Sequence, residues 1–223
     1  MKVVLLHAFP LDPRMWGPQL EALSGYDVVA PRLYGLGSSI DEWARAVLAQ
    51  APGALVAVGA SMGGYCALAM ARREPARVRG LVLAGSRADA DSPARRRERD
   101  QTIDALREHG VERWYEESGN PAPREVALAQ PADDLVNATQ VLRDRPDASD
   151  VVAAFRGPFL LAVGDQDPLL SVDEAKRFVS LTPNGRLEVF QGAGHLLTLE
   201  QPERFNEVLL RFLRRADRNL GFA

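Results

Sequence analysis

Six short apolar runs punctuate the chain at 3–6, 27–30, 54–59, 80–85, 159–164 and 186–190, reading VVLL, DVVA, ALVAVG, GLVLAG, FLLAVG and RLEVF. They are short, β-branched and nearly continuous rather than alternating, the pattern of strands buried on both faces of a parallel sheet. Between most of them the pattern is helical. IDEWARAVLAQA opens with an acidic turn, SMGGYCALAMARREP closes on basic residues before Pro75, and SVDEAKRFVSL offers Ser171 as an N-cap with Glu174 three residues on. Strand and helix alternate, which predicts an α/β fold with helices covering both faces.

One stretch breaks the alternation. From Arg87 to Gly157 no convincing strand is found, and residues such as Ile103, Leu106, Val111 and Trp114 recur at helical spacing. We therefore expect a core made of residues 1–86 and 158–223, interrupted by a helical insertion at 87–157. The basic run ARRRER reads as the solvated face of the insertion's first helix.

At 223 residues the chain fits one domain of ordinary α/β size, and its 46% hydrophobic and 26% charged residues suit a globular protein. Lys and Arg number 27 against 30 Asp and Glu, a formal charge of −3 that calls for neither nucleic acid nor an anionic membrane as partner. Cys66, the one cysteine, has no internal partner and falls in an apolar helical stretch, as a buried thiol would. The apolar run before His7 is only four residues long, too short for a signal peptide, and no segment approaches a membrane span. The expected location is the cytoplasm.

The chemistry begins at VGASMGGYCALAM, where Ser61 stands between a strand pattern and a helix pattern with glycines at 59, 63 and 64. A strand that turns straight into a helix crowds its own backbone, and glycine two positions before and two after the turn relieves that crowding. Such a turn aims the Ser61 hydroxyl out of the C-terminal edge of the sheet, where open α/β folds bind ligands. A serine hydroxyl needs a base to become a nucleophile. The chain has three histidines. His109 falls in a charged helix, His7 ends the first strand, and His195 lies in the loop GAGHLLTLEQPERF beyond the last strand, which makes it the expected base. The imidazole in turn needs an acid. AVGDQDPLL supplies Asp165 and Asp167 beyond another strand end, and Asp89 and Asp91 after the strand at 80–85 are further candidates.

The order Ser61, Asp167, His195 resembles that of the α/β-hydrolase superfamily over nearly the whole chain. LLHAFPLDPRMW looks like its oxyanion segment, VGASMGG its nucleophile elbow, VGDQDPL its acid loop and GAGHLLTLEQPERF its histidine loop. The resemblance implies a three-layer α/β-hydrolase fold with a compact, mostly parallel sheet of about six strands, lacking the family's leading hairpin, and a cap formed by the insertion. It favours Asp167 as the acid, since the family's acid stands three residues after the strand's glycine. It also assigns the oxyanion hole to the backbone N–H groups of Phe9 and Met62, and a supporting role to His7. Ala8 stands where the family commonly has glycine, and Arg32 where it often has aspartate. The implied activity is cleavage of a small ester or lactone through an acyl-enzyme on Ser61, with no metal and no organic cofactor. A mainly apolar pocket is expected, with Trp16, Tyr34, Met62, Trp114 and Tyr115 as candidate lining. The alternatives are a barely catalytic small-ligand receptor on the same fold, and the carbon–carbon bond hydrolases, cofactor-free haloperoxidases and menaquinone-pathway lyase that share the triad.

Overall fold

The computed structural model describes residues 1–220 and arranges them around a six-stranded sheet. Its strands are β1 (Lys2–Leu6), β2 (Asp27–Val29), β3 (Leu55–Ala60), β4 (Val78–Ala84), β5 (Phe159–Gly164) and β6 (Gly185–Phe190). They lie in the order β2-β1-β3-β4-β5-β6, and every neighbouring pair is parallel. Each predicted strand is present within two residues of its expected bounds. Two-sided burial explains the continuous apolar runs: Val4 and Leu6 of β1 enter one core while Val3 and Leu5 enter the other. Such fully buried side chains contribute roughly 1.5–3 kcal/mol each.

Helices form the outer layers. Between β2 and β3, α2 (Ile40–Gln50) is capped by the Ser39 side chain and buries Ile40, Trp43, Ala44, Val47 and Leu48, a stripe at helical period. Directly after β3 comes α3 (Met62–Arg73). Ahead of β6, α8 (Val172–Ser180) carries the predicted capping box, with Ser171 and Glu174 exchanging both hydrogen bonds, worth about 1 kcal/mol. At the end of the chain, α10 (Pro202–Leu220) turns Phe205, Val208, Leu209, Phe212, Leu213 and Ala216 onto the opposite face of the sheet. A 3-10 turn at Pro13–Trp16, α1 (Gly17–Ala22) and α9 (Leu197–Glu200) have no counterpart among the predicted elements. They are too short for periodicity to register.

The chain visits β2 on one side of β1 before crossing to β3 on the other. Connections leaving the C-terminal ends of β1 and β3 therefore diverge, and the crevice between them is where such folds place ligands.

Residues 87–157 are helical and contain no strand. They form α4 (Pro93–Ser118), α5 (Arg124–Leu128), α6 (Ala132–Asp144) and α7 (Ser149–Ala154), with α4 kinked where Gly110 takes a φ of 75°. Polar contacts fasten this insertion to the core at several places. On one side Arg32 reaches Gln130 and Asp134, and Gln130 donates to Asp12. On the other, the Arg145 guanidinium lies 3.9 Å over the Tyr65 ring of α3, held there within the insertion by the buried Asp91 carboxylate at 2.8 Å, which also pairs with Arg99 at 3.1 Å. Arg32, which stands where the resembling family often has aspartate, thus serves as a tie to the insertion.

Candidate active site

Ser61 sits at the junction of β3 and α3 with φ 47° and ψ −110°, the sole non-glycine residue among those described with a positive φ. That conformation costs on the order of 1–3 kcal/mol and persists because its surroundings leave no alternative. The Ser61 amide donates to the Ala84 carbonyl at 2.8 Å, and its carbonyl accepts from the Gly64 amide and from the Ser86 hydroxyl, each at 2.9 Å. The glycines are demanded by close approach. A Cβ on Gly59 would stand 2.4 Å from the Gly63 carbonyl, one on Gly63 would stand 2.0 Å from the Leu6 carbonyl oxygen, and one on Gly64 would meet the Ser86 hydroxyl. Gly64 thus has a reason of its own beyond the two that the turn motif supplies.

His195 follows β6 and brings Nε2 to 2.8 Å from the Ser61 hydroxyl. Its Nδ1 faces Asp167, 2.9 Å from one carboxylate oxygen and 3.0 Å from the other. The structure thereby separates the acids left open by residue patterns. Asp167, its side chain wholly buried beyond β5, also accepts from the amides of Leu169 and Leu170. Asp165 instead accepts from the Gly192 amide and ties the acid turn to the histidine loop. Asp89 pairs with Arg87, and Asp91 with Arg99 and Arg145, so neither is the partner of His195.

Supporting contacts hold the histidine. Glu200 accepts from the amides of Gly194 and Leu196 on either side of it. Gly164, at the end of β5, admits the Ala193 and Gly194 carbonyls within 2.3 Å of where a Cβ would be. Gly85 was not singled out by sequence. At φ +60° it lies under the His195–Asp167 pair, where a Cβ would be 3.0 Å from the His195 carbonyl oxygen, 3.2 Å from Nδ1 and 3.3 Å from an Asp167 oxygen.

The amides of Met62, first residue of α3, and Phe9, in the loop after β1, meet no acceptor among the described residues. The Phe9 ring packs edge-on against Trp114 of α4 at 5.6 Å. His7 supports this loop. Its Nε2 accepts from the Leu33 amide at 2.9 Å while Nδ1 donates to the Ala8 carbonyl at 3.0 Å, a pattern that requires the neutral ring. Full burial lowers its pKa to about 4, against smaller opposing effects of the Ala8 carbonyl and Asp12. His109 is exposed, far from any such role.

A cleft of about 430 Å³ opens above Ser61 and His195, walled by Phe9, Tyr65, Trp114, Leu142, Leu169 and Leu196, and by Arg87, Arg95, Glu98 and Arg99. Of the five expected lining residues, Trp114 alone is there. Trp16 packs on Phe205 beneath the other face of the sheet, Tyr34 packs against His7 and under Arg32, Met62 faces the core of α3, and the Tyr115 hydroxyl donates to the Ala122 carbonyl. Apolar surface makes up most of the cleft's lining, as expected, but four ionic side chains share it. Likewise ARRRER is only partly solvated, because Arg95 and Arg99 face the cleft. They continue the face of α4 that buries Ile103 and Leu106, at spacings of four, four and three, a signal already present in the sequence. A larger groove of about 740 Å³ lies at the other end of the strands, beside Val78 and Pro158, and contains no nucleophile–base pair.

A serine on a strained strand-to-helix turn, facing a histidine and an aspartate delivered from two later strand ends of a parallel sheet, defines an α/β-hydrolase fold. The chain belongs to the alpha/beta hydrolase family, whose model matches residues 3–208. It is 30% identical to the pimeloyl-[acyl-carrier protein] methyl ester esterase of Cronobacter sakazakii, over 93% of this chain and 91% of that one. It is also 30% identical to the 2-hydroxy-6-oxononadienedioate/2-hydroxy-6-oxononatrienedioate hydrolase of Burkholderia vietnamiensis, over 71% of this chain and 62% of that one. Among solved structures, a thermophilic esterase from Thermogutta terrifontis superposes with a TM-score of 0.88 at 30% identity, covering 97% of this chain and 90% of the esterase. The protein is an α/β hydrolase. No helix among the described residues is long and apolar enough to cross a membrane.

Proposed function

We propose that the protein is a serine hydrolase that cleaves a small ester or lactone through an acyl-enzyme, with Ser61 as nucleophile, His195 as general base and acid, and Asp167 as the group that orients and charge-balances His195. The single observation that carries this reading is the continuous hydrogen-bonded chain from the Ser61 hydroxyl through both ring nitrogens of His195 to the Asp167 carboxylate. The esterase names of the relatives and of the thermophilic structure agree with it.

In this mechanism His195 Nε2 takes the Ser61 proton as Oγ attacks the ester carbonyl. The amides of Phe9 and Met62 receive the developing oxyanion, a contribution of about 3–4 kcal/mol per donor in well-ordered sites. His195 then gives its proton to the leaving alcohol oxygen, and the C–O bond breaks to leave acyl-Ser61. Water, deprotonated by the same nitrogen, attacks the acyl carbonyl and releases the acid, returning the proton to Ser61. The segment 87–157 acts as a cap that covers the reacting carbonyl and limits water around it. No metal or organic cofactor enters any step.

The test is hydrolysis of p-nitrophenyl acetate and butyrate by the wild type and Ser61→Ala, with mass spectrometry after treatment with a fluorophosphonate. Turnover abolished in the variant, with one label on Ser61, establishes the reading. If Ser61 is neither labelled nor needed, the reading is wrong.

A further inference from the structure

Ester hydrolysis by itself asks for no cation in the cleft, yet Arg87, Arg95 and Arg99 line it with Glu98. Two of the three guanidinium groups are already committed. Arg87 lies between Asp89 and Glu174, at 2.8 and 2.9 Å. Arg99 donates to Asp91, whose fully buried carboxylate also holds Arg145. Arg95 is different. Its guanidinium donates to the Leu169 carbonyl at 2.8 Å and meets no carboxylate among the described residues. The rest of its five-donor fork is therefore without a protein acceptor. Glu98, one turn along the same helix, is exposed and outside ion-pair distance of it. Leu169 follows Asp167 in the acid turn and itself lines the cleft, so its carbonyl fixes the half-buried Arg95 beside the reacting groups.

Resting on the ester-hydrolase reading above, we infer that the substrate is an ester bearing a carboxylate, and that Arg95 is the residue that binds that carboxylate. A planar guanidinium with open donors matches a carboxylate by charge-assisted hydrogen bonds. Because one end of the fork is already anchored, little side-chain freedom is lost when the anion docks. The inference assigns a specificity role to a residue that neither the triad nor the oxyanion donors require.

Two substrate pairs test it, one placing the charge on the acyl half and one on the alcohol half. The first is p-nitrophenyl hydrogen glutarate against p-nitrophenyl valerate, and the second is the butyrate ester of 4-(hydroxymethyl)benzoate against that of 4-methylbenzyl alcohol. The quantity read is the ratio of kcat/KM for the charged ester to that for the neutral one. In Arg95→Met that ratio is expected to fall about tenfold or more in one of the pairs, and further in Arg95→Glu. Arg97→Met, exposed and outside the cleft, is expected to keep the wild-type ratio. Damage to the acid turn from losing the Leu169 contact lowers both members of a pair together and leaves the ratio alone. A ratio unchanged in both pairs overturns the inference, while neutral-ester turnover that still depends on Ser61 leaves the hydrolase reading intact. If no ester is turned over at all, calorimetric titration of glutarate into Ser61→Ala, with and without Arg95→Met, decides the matter: binding that vanishes with Arg95 supports the anion site, and its absence from both overturns it.

Discussion

Gly85→Ala places one methyl group under the histidine–aspartate pair and separates two effects. The first is backbone strain: φ at this residue is +60°, and a side chain in the left-handed region costs roughly 1–2 kcal/mol. For a chain of this size that lowers Tm by roughly 2–8 °C. The second is contact. The new Cβ would lie 3.0 Å from the His195 carbonyl oxygen, 3.2 Å from Nδ1 and 3.3 Å from an Asp167 oxygen, so these groups must retreat by a few tenths of an ångström. They are the groups that set the 2.9 Å His195–Asp167 hydrogen bond and the aim of Nε2 at Ser61. Misplacement on the ångström scale costs about a hundredfold in rate, and this smaller shift about tenfold or more. Gly53→Ala supplies the comparison, because Gly53 has φ +87° but open space around its would-be Cβ. Both variants are expected to melt lower by similar amounts, and Gly85→Ala alone to lose kcat/KM on p-nitrophenyl butyrate. If Gly85→Ala melts like Gly53→Ala yet keeps kcat/KM within about threefold of wild type, far inside the misplacement cost, the contact does not control the pair.

Three further outcomes follow from contacts described above. Asp167→Asn is expected to lower kcat by about 10⁴, whereas Asp165→Asn, which weakens the hydrogen bond from the Gly192 amide, costs roughly 1 kcal/mol of stability and much less activity; equal rate losses in a steady-state assay would contradict the assignment. For His7, burial lowers the folded pKa to about 4, while in the unfolded chain the ring protonates near the ordinary histidine value of about 6.5. The unfolded state therefore binds one more proton between those values, and stability falls as pH drops through that window, by about 3 kcal/mol in all. Urea unfolding across pH 4–7 should lose that slope in His7→Gln, and an identical slope in both proteins would refute it. At the foot of the insertion, Arg145→Met leaves the buried Asp91 carboxylate with Arg99 alone, at a cost of roughly 3 kcal/mol; a urea midpoint shift equivalent to less than about 1 kcal/mol would show that the pair is dispensable.

The strands were legible because burial on both faces leaves a direct mark on composition. The Ser61 turn was legible because steric demand falls on residues close in sequence, Gly59 and Gly63. What escaped depends on residues distant along the chain. Asp165 and Asp167 both follow β5, and only the position of His195 distinguishes them. Gly85 needs to be glycine because of a loop more than a hundred residues later. The cleft was misjudged for a related reason: large aromatics such as Trp16 and Tyr34 satisfy either core, and residue type does not reveal which side of a sheet receives them. Arg95 and Arg99 were readable in principle, since they prolong the buried stripe of α4, but their charge argued for solvent.

The insertion leaves the sheet after β4 and returns to it at β5, and those two strands are hydrogen-bonded neighbours. The chain between them is thus a closed loop of roughly seventy residues, and the entropy of closing such a loop changes by only about 0.6 kcal/mol when its length doubles or halves. The register of β4 on β5, and with it the reach from Ser61 to Asp167, is nearly indifferent to how much polypeptide travels in between. Recombination or drift can lengthen, shorten or replace the helices over the Ser61 cleft while the geometry that joins Ser61, His195 and Asp167 stays put, so the walls of that cleft can change without refolding the sheet edge beneath them.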